Sequence, residues 1–218
     1  MSVSASTVSR QRLSLVAILT GLIGVAVLAL SMTSSLAAFT ASITNSINSA
    51  AAGTVVMEEK NSGGTVTCLS TDGTGNNVTN NAATCATINK YGGSTTMVPG
   101  QTVSTTVTIR NAGTATVSGF TLAPQACTQA GNVTGSATDM CSKLGVVISQ
   151  TVGSTTTVVS PASSTIATLA TGGPLTLSAP VAPNATITFK FDVTLNSSVG
   201  NTYQGLSASQ PLVWTFTA

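Results

Sequence analysis

The sequence feature that most constrains the fold is a strict alternation of apolar and polar residues. In Ala185–Leu195 every odd position from Ile187 onwards is apolar, whereas the even positions hold Thr, Lys and Asp. Thr102–Arg110 follows a similar alternation, with Val103, Val107 and Ile109 on one side. A period of two places one row of side chains inside a sheet and the other row outside it. These segments therefore predict half-buried β-strands.

The composition extends this prediction to the rest of the chain beyond residue 37. The sequence has 39 threonines and 6% charged residues, and it lacks long helical patterns after residue 37. Threonine suits strands because its branched side chain packs on a pleated surface. Many short strands separated by Gly- and Pro-rich turns predict an all-β fold, an antiparallel β-sandwich. The predicted strands are Gly53–Met57, Thr65–Leu69, Ala83–Ile88, Thr102–Arg110, Ala115–Leu122, Leu144–Thr151, Thr155–Val159, Thr165–Leu169, Leu175–Leu177, Ala185–Leu195 and Leu206–Thr217.

Two details of the sandwich follow from turns and spacing. The Asn111–Gly113 turn predicts that the strands on either side of it form a hairpin. The alternation of Leu212, Trp214 and Phe216 predicts that these side chains fill the centre of the core. The strand pattern alone fits a jelly-roll and an immunoglobulin-like topology equally well.

Residues 1–37 have the three parts of a secretory signal peptide. A polar, arginine-containing start precedes the uncharged apolar run Leu13–Met32, and Ser35 and Ala37 supply small residues before a cleavage site. We therefore expect cleavage between Ala37 and Ala38. The alternative is an uncleaved membrane anchor, because about 20 apolar residues can span a bilayer. Both interpretations place the rest of the chain outside the cytoplasm.

Residues 38–49 form a second, separate strand pattern that cleavage would leave as a free N-terminal tail. A hinge of small residues at 50–53 separates this tail from the predicted β-sandwich domain at 54–218. The tail is either the first strand of its own sheet or a donor strand that adds to the sheet of another molecule. Its apolar row consists of Phe39, Ala41, Ile43 and Ile47, interrupted by Asn45.

The four cysteines predict two disulfides, because disulfides are the default for cysteines in a secreted chain. Three pairings are possible. We favour Cys68–Cys85 and Cys127–Cys141, because each pair brackets a loop rich in Gly, Asn and Thr that has little else to hold it.

Several functional classes are disfavoured. The chain has no histidine, so Ser-His-Asp, Cys-His and H-E-x-x-H chemistry is excluded, and we expect no enzyme activity, no metal and no other cofactor. Beyond residue 37, five basic and five acidic residues give a formal net charge of zero, so no nucleic-acid partner is expected. The adjacent Glu58 and Glu59 would point to opposite faces of a strand and are interpreted as solvated charges.

Motifs at both ends of the chain and in one internal segment resemble TasA-like proteins, a family that includes the camelysin-like proteins and is processed by the SipW type of signal peptidase. The N-x-Y-Q-G element is the most specific of these motifs. The matching residues are Ala37 before Ala38-Phe39, Ala52-Gly53-Thr54, Pro99-Gly100, Asn111-Ala112-Gly113 and Asn201-Thr202-Tyr203-Gln204-Gly205.

The resemblance implies a jelly-roll subunit of an extracellular fibre or biofilm matrix that polymerises by donor-strand exchange. Its partner would be a second copy of itself, arranged head to tail, with an accessory or anchoring protein as a further possible partner. Phe39, Ile43 and Ile47 would fill a groove in the next subunit. The chain would contact the membrane only through residues 13–32, before the signal peptide is cleaved. The alternative function is a membrane-anchored adhesin that presents its loops to a target.

Overall fold

The computed structural model describes residues 17–27, 42–43, 49–72, 81–131 and 135–218. The chain divides into two units, Met1–Ala50 and Ala51–Ala218. In the first unit, residues 17–27 belong to a helix, α1. Within the described ranges, no helix is both long enough and apolar enough to cross a membrane.

The second unit is an antiparallel β fold, which confirms the predicted all-β class. Its helices are short: α2 at Met140–Lys143 and α3 at Ile166–Thr171. The assignment of a jelly-roll topology stays a prediction. The strands are β1 Met57–Asn61, β2 Thr67–Leu69, β3 Thr102–Asn111, β4 Gly119–Pro124, β5 Thr128–Ala130, β6 Leu144–Val152, β7 Thr155–Val158, β8 Leu175–Thr176, β9 Thr186–Leu195, β10 Ser207–Ser209 and β11 Leu212–Thr217.

The strands form one large sheet and two small ones. The large sheet has the order β2-β1-β3-β9-β6-β7, the three-stranded sheet has the order β11-β4-β8, and β10 pairs with β5. Every pairing of these described strands is antiparallel. Since the six-stranded sheet is twice as wide as the three-stranded sheet, part of its inner face lies beyond the cover that the smaller sheet provides.

The core lies where β9 faces the three-stranded sheet. The odd residues of β9 are all buried, as their alternation predicts. Across the two sheets, the ring centroids of Phe189 and Trp214 are 4.7 Å apart, and those of Phe189 and Phe120 are 5.7 Å apart. On the β6 side, α3 contributes the buried side chains of Ile166 and Leu169 and closes the interior there.

The predicted hairpin of β3 and β4 is wrong. β3 pairs with β1 and β9 in the large sheet, whereas β4 pairs with β11 and β8 in the small one. The segment between them crosses from sheet to sheet because the buried Asn111 side chain organises a wider loop. Its amide donates to the backbone oxygens of Ala115 at 2.8 Å and Val181 at 3.0 Å.

The predicted strand at Thr165–Leu169 is also wrong, because this segment begins α3. Thr165 caps the helix: its side chain accepts a hydrogen bond from the Thr168 backbone N–H, and the Thr168 hydroxyl accepts one from the Thr165 N–H. Ile166 and Leu169 are three residues apart and share the buried face of a helix. The segment 83–88 is irregular where a strand was predicted, and β1 begins at Met57, where the predicted first strand ends.

The disulfides are Cys68–Cys85 and Cys127–Cys141, the pairing that the sequence analysis favours. The Cα atoms are 6.0 Å apart in the first and 6.2 Å apart in the second. Structural disulfides persist in oxidising surroundings, so the domain belongs to a non-cytoplasmic compartment.

Candidate functional site

Strand β11 has one free edge. It is the terminal strand of its sheet and pairs only with β4 among the described strands. On the β4 side, the oxygens of Pro211 and Thr217 accept hydrogen bonds from Gln125 N–H at 2.9 Å and Ser118 N–H at 2.7 Å. Since backbone groups alternate in direction along a strand, the N–H and C=O groups of the even residues point to the free edge. This edge can therefore accept another strand.

Strand β10 continues this edge. In the chain, β10 directly precedes β11, and its partner β5 directly follows β4. The β5–β10 pair therefore extends the β4–β11 pair. From Ser207 to Thr217 the alternation between half-buried and exposed side chains is unbroken. The combined edge spans 11 residues, and at about 3.3 Å per residue it is roughly 36 Å long.

The inward side chains of β11 are only half-buried. Leu212, Trp214 and Phe216 face the interior, as their alternation predicts, but each retains solvent exposure. The inward residues of the adjoining strand β4 differ, since Phe120 is 1% exposed and Leu122 is fully buried. The core is therefore closed on one side of β11 and open on the other.

A groove of about 1360 Å³ runs along this open side. Its walls are β10 and β11, the inner side of β1 with Val55 and Met57, and the irregular segment 81–97. Inward residues of β9, β6, α2 and α3 complete its lining. Drug-sized ligands occupy pockets of about 300–1,000 Å³, so this groove is larger than a small molecule requires. Its length, its partly apolar lining and its free backbone edge suit an extended peptide.

Glu59 lies at the inner wall of the groove. Its side chain faces inward because it is paired in register with the fully buried Ile109. Its Oε1 accepts hydrogen bonds from Lys90 Nζ at 2.8 Å and from Trp214 Nε1 at 3.3 Å. Glu59 is 6% exposed, so its interpretation as a solvated charge is wrong.

Glu58 points to the opposite face, as predicted, but it too is buried and paired. Its two carboxylate oxygens accept hydrogen bonds from Arg110 Nε and Nη2, each at 2.9 Å, and Lys60 Nζ lies 3.1 Å from Oε1. The hydrogen bonds from Arg110, assisted by Lys60, lower the pKa of Glu58 to about 2. Glu58 thus joins β1 to Arg110 of β3 on the outer face of the sheet, while Glu59 joins β1 to Lys90 and Trp214 on the inner face.

The segment 81–97 is fastened to the groove by several contacts. The Cys68–Cys85 disulfide ties it to β2, and Ile88 is buried in the core. The Tyr91 hydroxyl donates to Gln210 Oε1 at 2.5 Å, and burial raises the pKa of Tyr91, so the hydroxyl keeps its proton. The strand predicted at 83–88 lies in this segment, and the sequence pattern did not indicate that the segment lines a groove.

Two of the motifs that carry the family resemblance meet at one end of the domain. Thr54 O accepts hydrogen bonds from the N–H groups of Thr114 and Ala115, both at 2.9 Å. A Cβ at Gly113 would lie 2.2 Å from the same oxygen, so only glycine allows this approach. The contact fixes where the chain enters the domain, immediately after the 50–53 hinge.

The Asn201–Gly205 motif lies at the opposite end of the groove, directly before β10. The Tyr203 hydroxyl donates to Asp139 Oδ1 at 2.6 Å, a hydrogen bond that lowers the pKa of Asp139. Gly205 adopts a positive φ of 71°, and a Cβ at Gly131 would lie 2.3 Å from its carbonyl oxygen. The motif therefore sets the start of the free edge.

The predicted interface residues are mostly outside the described part of the chain. Phe39, Ala41, Ile47 and the predicted cleavage site at Ala37 and Ala38 lie there. Ile43 is described and is fully exposed. Among the described residues, no group of three or more acidic or cysteine side chains is placed to hold a metal.

No protein-family model matches this sequence, and no curated protein matches it. The resemblance to TasA-like proteins therefore stays a prediction that rests on the motifs.

Proposed function

We propose that this protein is a secreted structural subunit of an extracellular filament, such as a biofilm matrix fibre. Residues 38–49 of one copy add as a strand to β11 of the next copy and fill its groove. The observation that carries the proposal is the groove itself, with an 11-residue free edge and half-exposed Trp214 and Phe216.

The tail has the dimensions and the chemistry that the groove requires. It has 12 residues, and its odd positions carry Phe39, Ala41, Ile43 and Ile47. An antiparallel strand presents one such row to the interior and donates backbone hydrogen bonds along its edge. The described Ile43 is fully exposed, and an exposed isoleucine gains free energy when a partner buries it.

A free peptide tests the occupant directly. We expect a peptide of residues 38–49 to bind the full chain from which residues 38–49 are deleted, measured by calorimetry or fluorescence of Trp214. The matched control carries Ile43→Asp in the same peptide. Loss of a buried isoleucine is worth about 1.5–3 kcal/mol, so the control should bind at least about ten-fold more weakly. Equal binding of the two peptides would contradict the proposal.

Electron microscopy tests assembly. The secreted full chain should form filaments, while the chain without residues 38–49 should remain a folded monomer. Ala208→Phe, which fills the groove, should also block assembly, whereas Val158→Phe on the exposed strand β7 should not. Filaments formed by the deletion variant would show that another surface links the subunits.

A further inference from the structure

We infer that the incoming strand lies antiparallel to β11 in one register, with Asn45 of one copy opposite Gln210 of the next. The inference rests on the proposed function and adds the direction of the strand and its register. It follows from where the tail leaves the domain and from two polar residues in otherwise apolar rows.

The direction follows from the two ends of the groove. The tail leaves the domain at Thr54, which is bonded to Thr114, and the nearby Ser118 is bonded to Thr217 at the end of β11. The root of the tail and the end of β11 thus share one end of the domain. In a head-to-tail arrangement, the root of one copy meets the opposite end of the next, near Ser207. The tail then runs from there with its N-terminus towards Thr217, which makes it antiparallel to β11.

The side-chain rows limit the register. The even residues of the edge face the interior, and their backbone groups also point to the free side. The apolar row of the tail is odd-numbered. Odd tail residues must therefore stand opposite even edge residues, and the allowed registers differ by steps of two.

One register matches polar with polar. Asn45 is the polar member of the tail row, and Gln210 is the polar member of the edge row from Ala208 to Phe216. Opposing these two residues also sets the small Ala41 against the large Trp214. The remaining opposed pairs are Phe39 with Phe216, Ile43 with Leu212, and Ile47 with Ala208.

Gln210 has one acceptor position available for this partner. Its Nε2 donates to Gln125 O at 2.7 Å and Ile166 O at 3.0 Å, and its Oε1 accepts from the Tyr91 hydroxyl. An amide oxygen has two lone pairs, so Oε1 can also accept from Asn45 Nδ2. A shift of two residues would bury the Asn45 amide against Leu212 or Ala208 without this partner, which is costly.

Disulfide trapping tests the register. In the inferred register Ser42 lies opposite Val213, both on the outer face, in a pair that is not hydrogen-bonded. The Cα atoms of such pairs are about 4.5 Å apart, which a disulfide can bridge. Full-chain Ser42→Cys and Val213→Cys variants, expressed together, should yield a covalent dimer on non-reducing gels. Val213 is 46% exposed, so its substitution spares the core.

Shifted cysteines provide the matched controls. Thr40→Cys or Thr44→Cys, each combined with Val213→Cys, moves the thiol two residues along the same face and should give at least about ten-fold less dimer. More dimer from either control would overturn the register and leave the proposed function intact. No dimer from any of the three pairs, with filaments still present, would overturn the antiparallel arrangement. Absence of both dimers and filaments would overturn the proposed function as well.

Asn45→Leu separates a register role from a general binding role. We expect this variant to keep assembling but to lose selectivity, so that the shifted pairs approach the yield of the Ser42–Val213 pair. Unchanged selectivity would show that Asn45 does not set the register.

Discussion

The two halves of the sandwich interior differ in how they are closed. Over β9 and β6, the three-stranded sheet and α3 cover the large sheet, and Phe189 and Phe191 are fully buried. Over β1, an irregular segment and an open groove replace a regular layer, and Phe216 stays half-exposed. Aromatic residues of the same type thus stabilise the fold on one side and line an open groove on the other.

The two halves also differ in which elements lie beside their strands. The closed half has strands and a helix on both layers, whereas the open half has no strand beside β11 within the described residues. Monomeric proteins rarely leave large apolar surfaces without a partner. The open half is therefore the side on which we propose that a partner strand binds, and paired variants in the two halves test the difference between them.

The largest expected effect comes from truncating one aromatic residue in each half. Phe189→Ala should reduce the free energy of unfolding by about 3–5 kcal/mol, because it leaves a cavity in a closed core. Phe216→Ala should cost about 1–2 kcal/mol, since its side chain is already half-exposed. Urea unfolding of both variants measures the difference. Equal losses would mean that the groove is not open in solution.

The two disulfides should have similar effects on stability but different effects on the groove. They span 17 and 14 residues, so removing either should cost about 3 kcal/mol. The variant C68A/C85A should also make segment 81–97 sensitive to protease, while C127A/C141A should not. Equal protection of this segment in both variants would contradict its tethering by Cys68–Cys85.

Acid should weaken the ion pair on the outer face of β1. The folded pKa of Glu58 is about 2, below its ordinary value of 4.5. The pair therefore stabilises the domain above about pH 4.5, and this contribution is lost as the pH falls towards 2. With solvent screening, we expect a loss of about 1–2 kcal/mol. Glu58→Gln should lower stability at pH 7 and flatten this part of the pH profile. An unchanged pH profile of stability would contradict a stabilising role for this ion pair.

The smallest expected effect lies in the closed half, at the start of α3. Thr165→Ala removes the helix cap and should cost about 1 kcal/mol, while Thr165→Ser keeps the hydroxyl and should cost less. Thermal unfolding measures both. An equal loss from both variants would show that the Thr165 hydroxyl does not cap the helix.

Much of the fold was predictable because alternation is a local property of the sequence. The inward row of β9 and the inward row of β11 both follow from a period of two. The same rule could have placed Glu59 inside, since it alternates with Met57. Its charge favoured a solvated interpretation, and the compensating Lys90 lies 31 residues away in the sequence.

Sheet pairing was not predictable from local pattern. Asn111–Gly113 has the composition of a hairpin turn, but the bonds from Asn111 to Ala115 and Val181 make it a crossing between sheets. The groove was equally hidden, because the solvent exposure of Trp214 depends on which strand lies beside it. A sequence shows which side of a strand is apolar, whereas the neighbours of that strand decide whether this side is covered.

In the proposed filament, the tight contact between Gly113 and Thr54 would have a mechanical consequence. Tension on a filament would reach each copy at Thr54, next to the six-stranded sheet, and would leave along β11 in the other sheet. The load would cross the aromatic interior between the two layers, and it would shear β11 lengthwise instead of peeling its hydrogen bonds one by one. The resistance of such a thread to pulling would then depend on the packing of Phe120, Phe189 and Trp214.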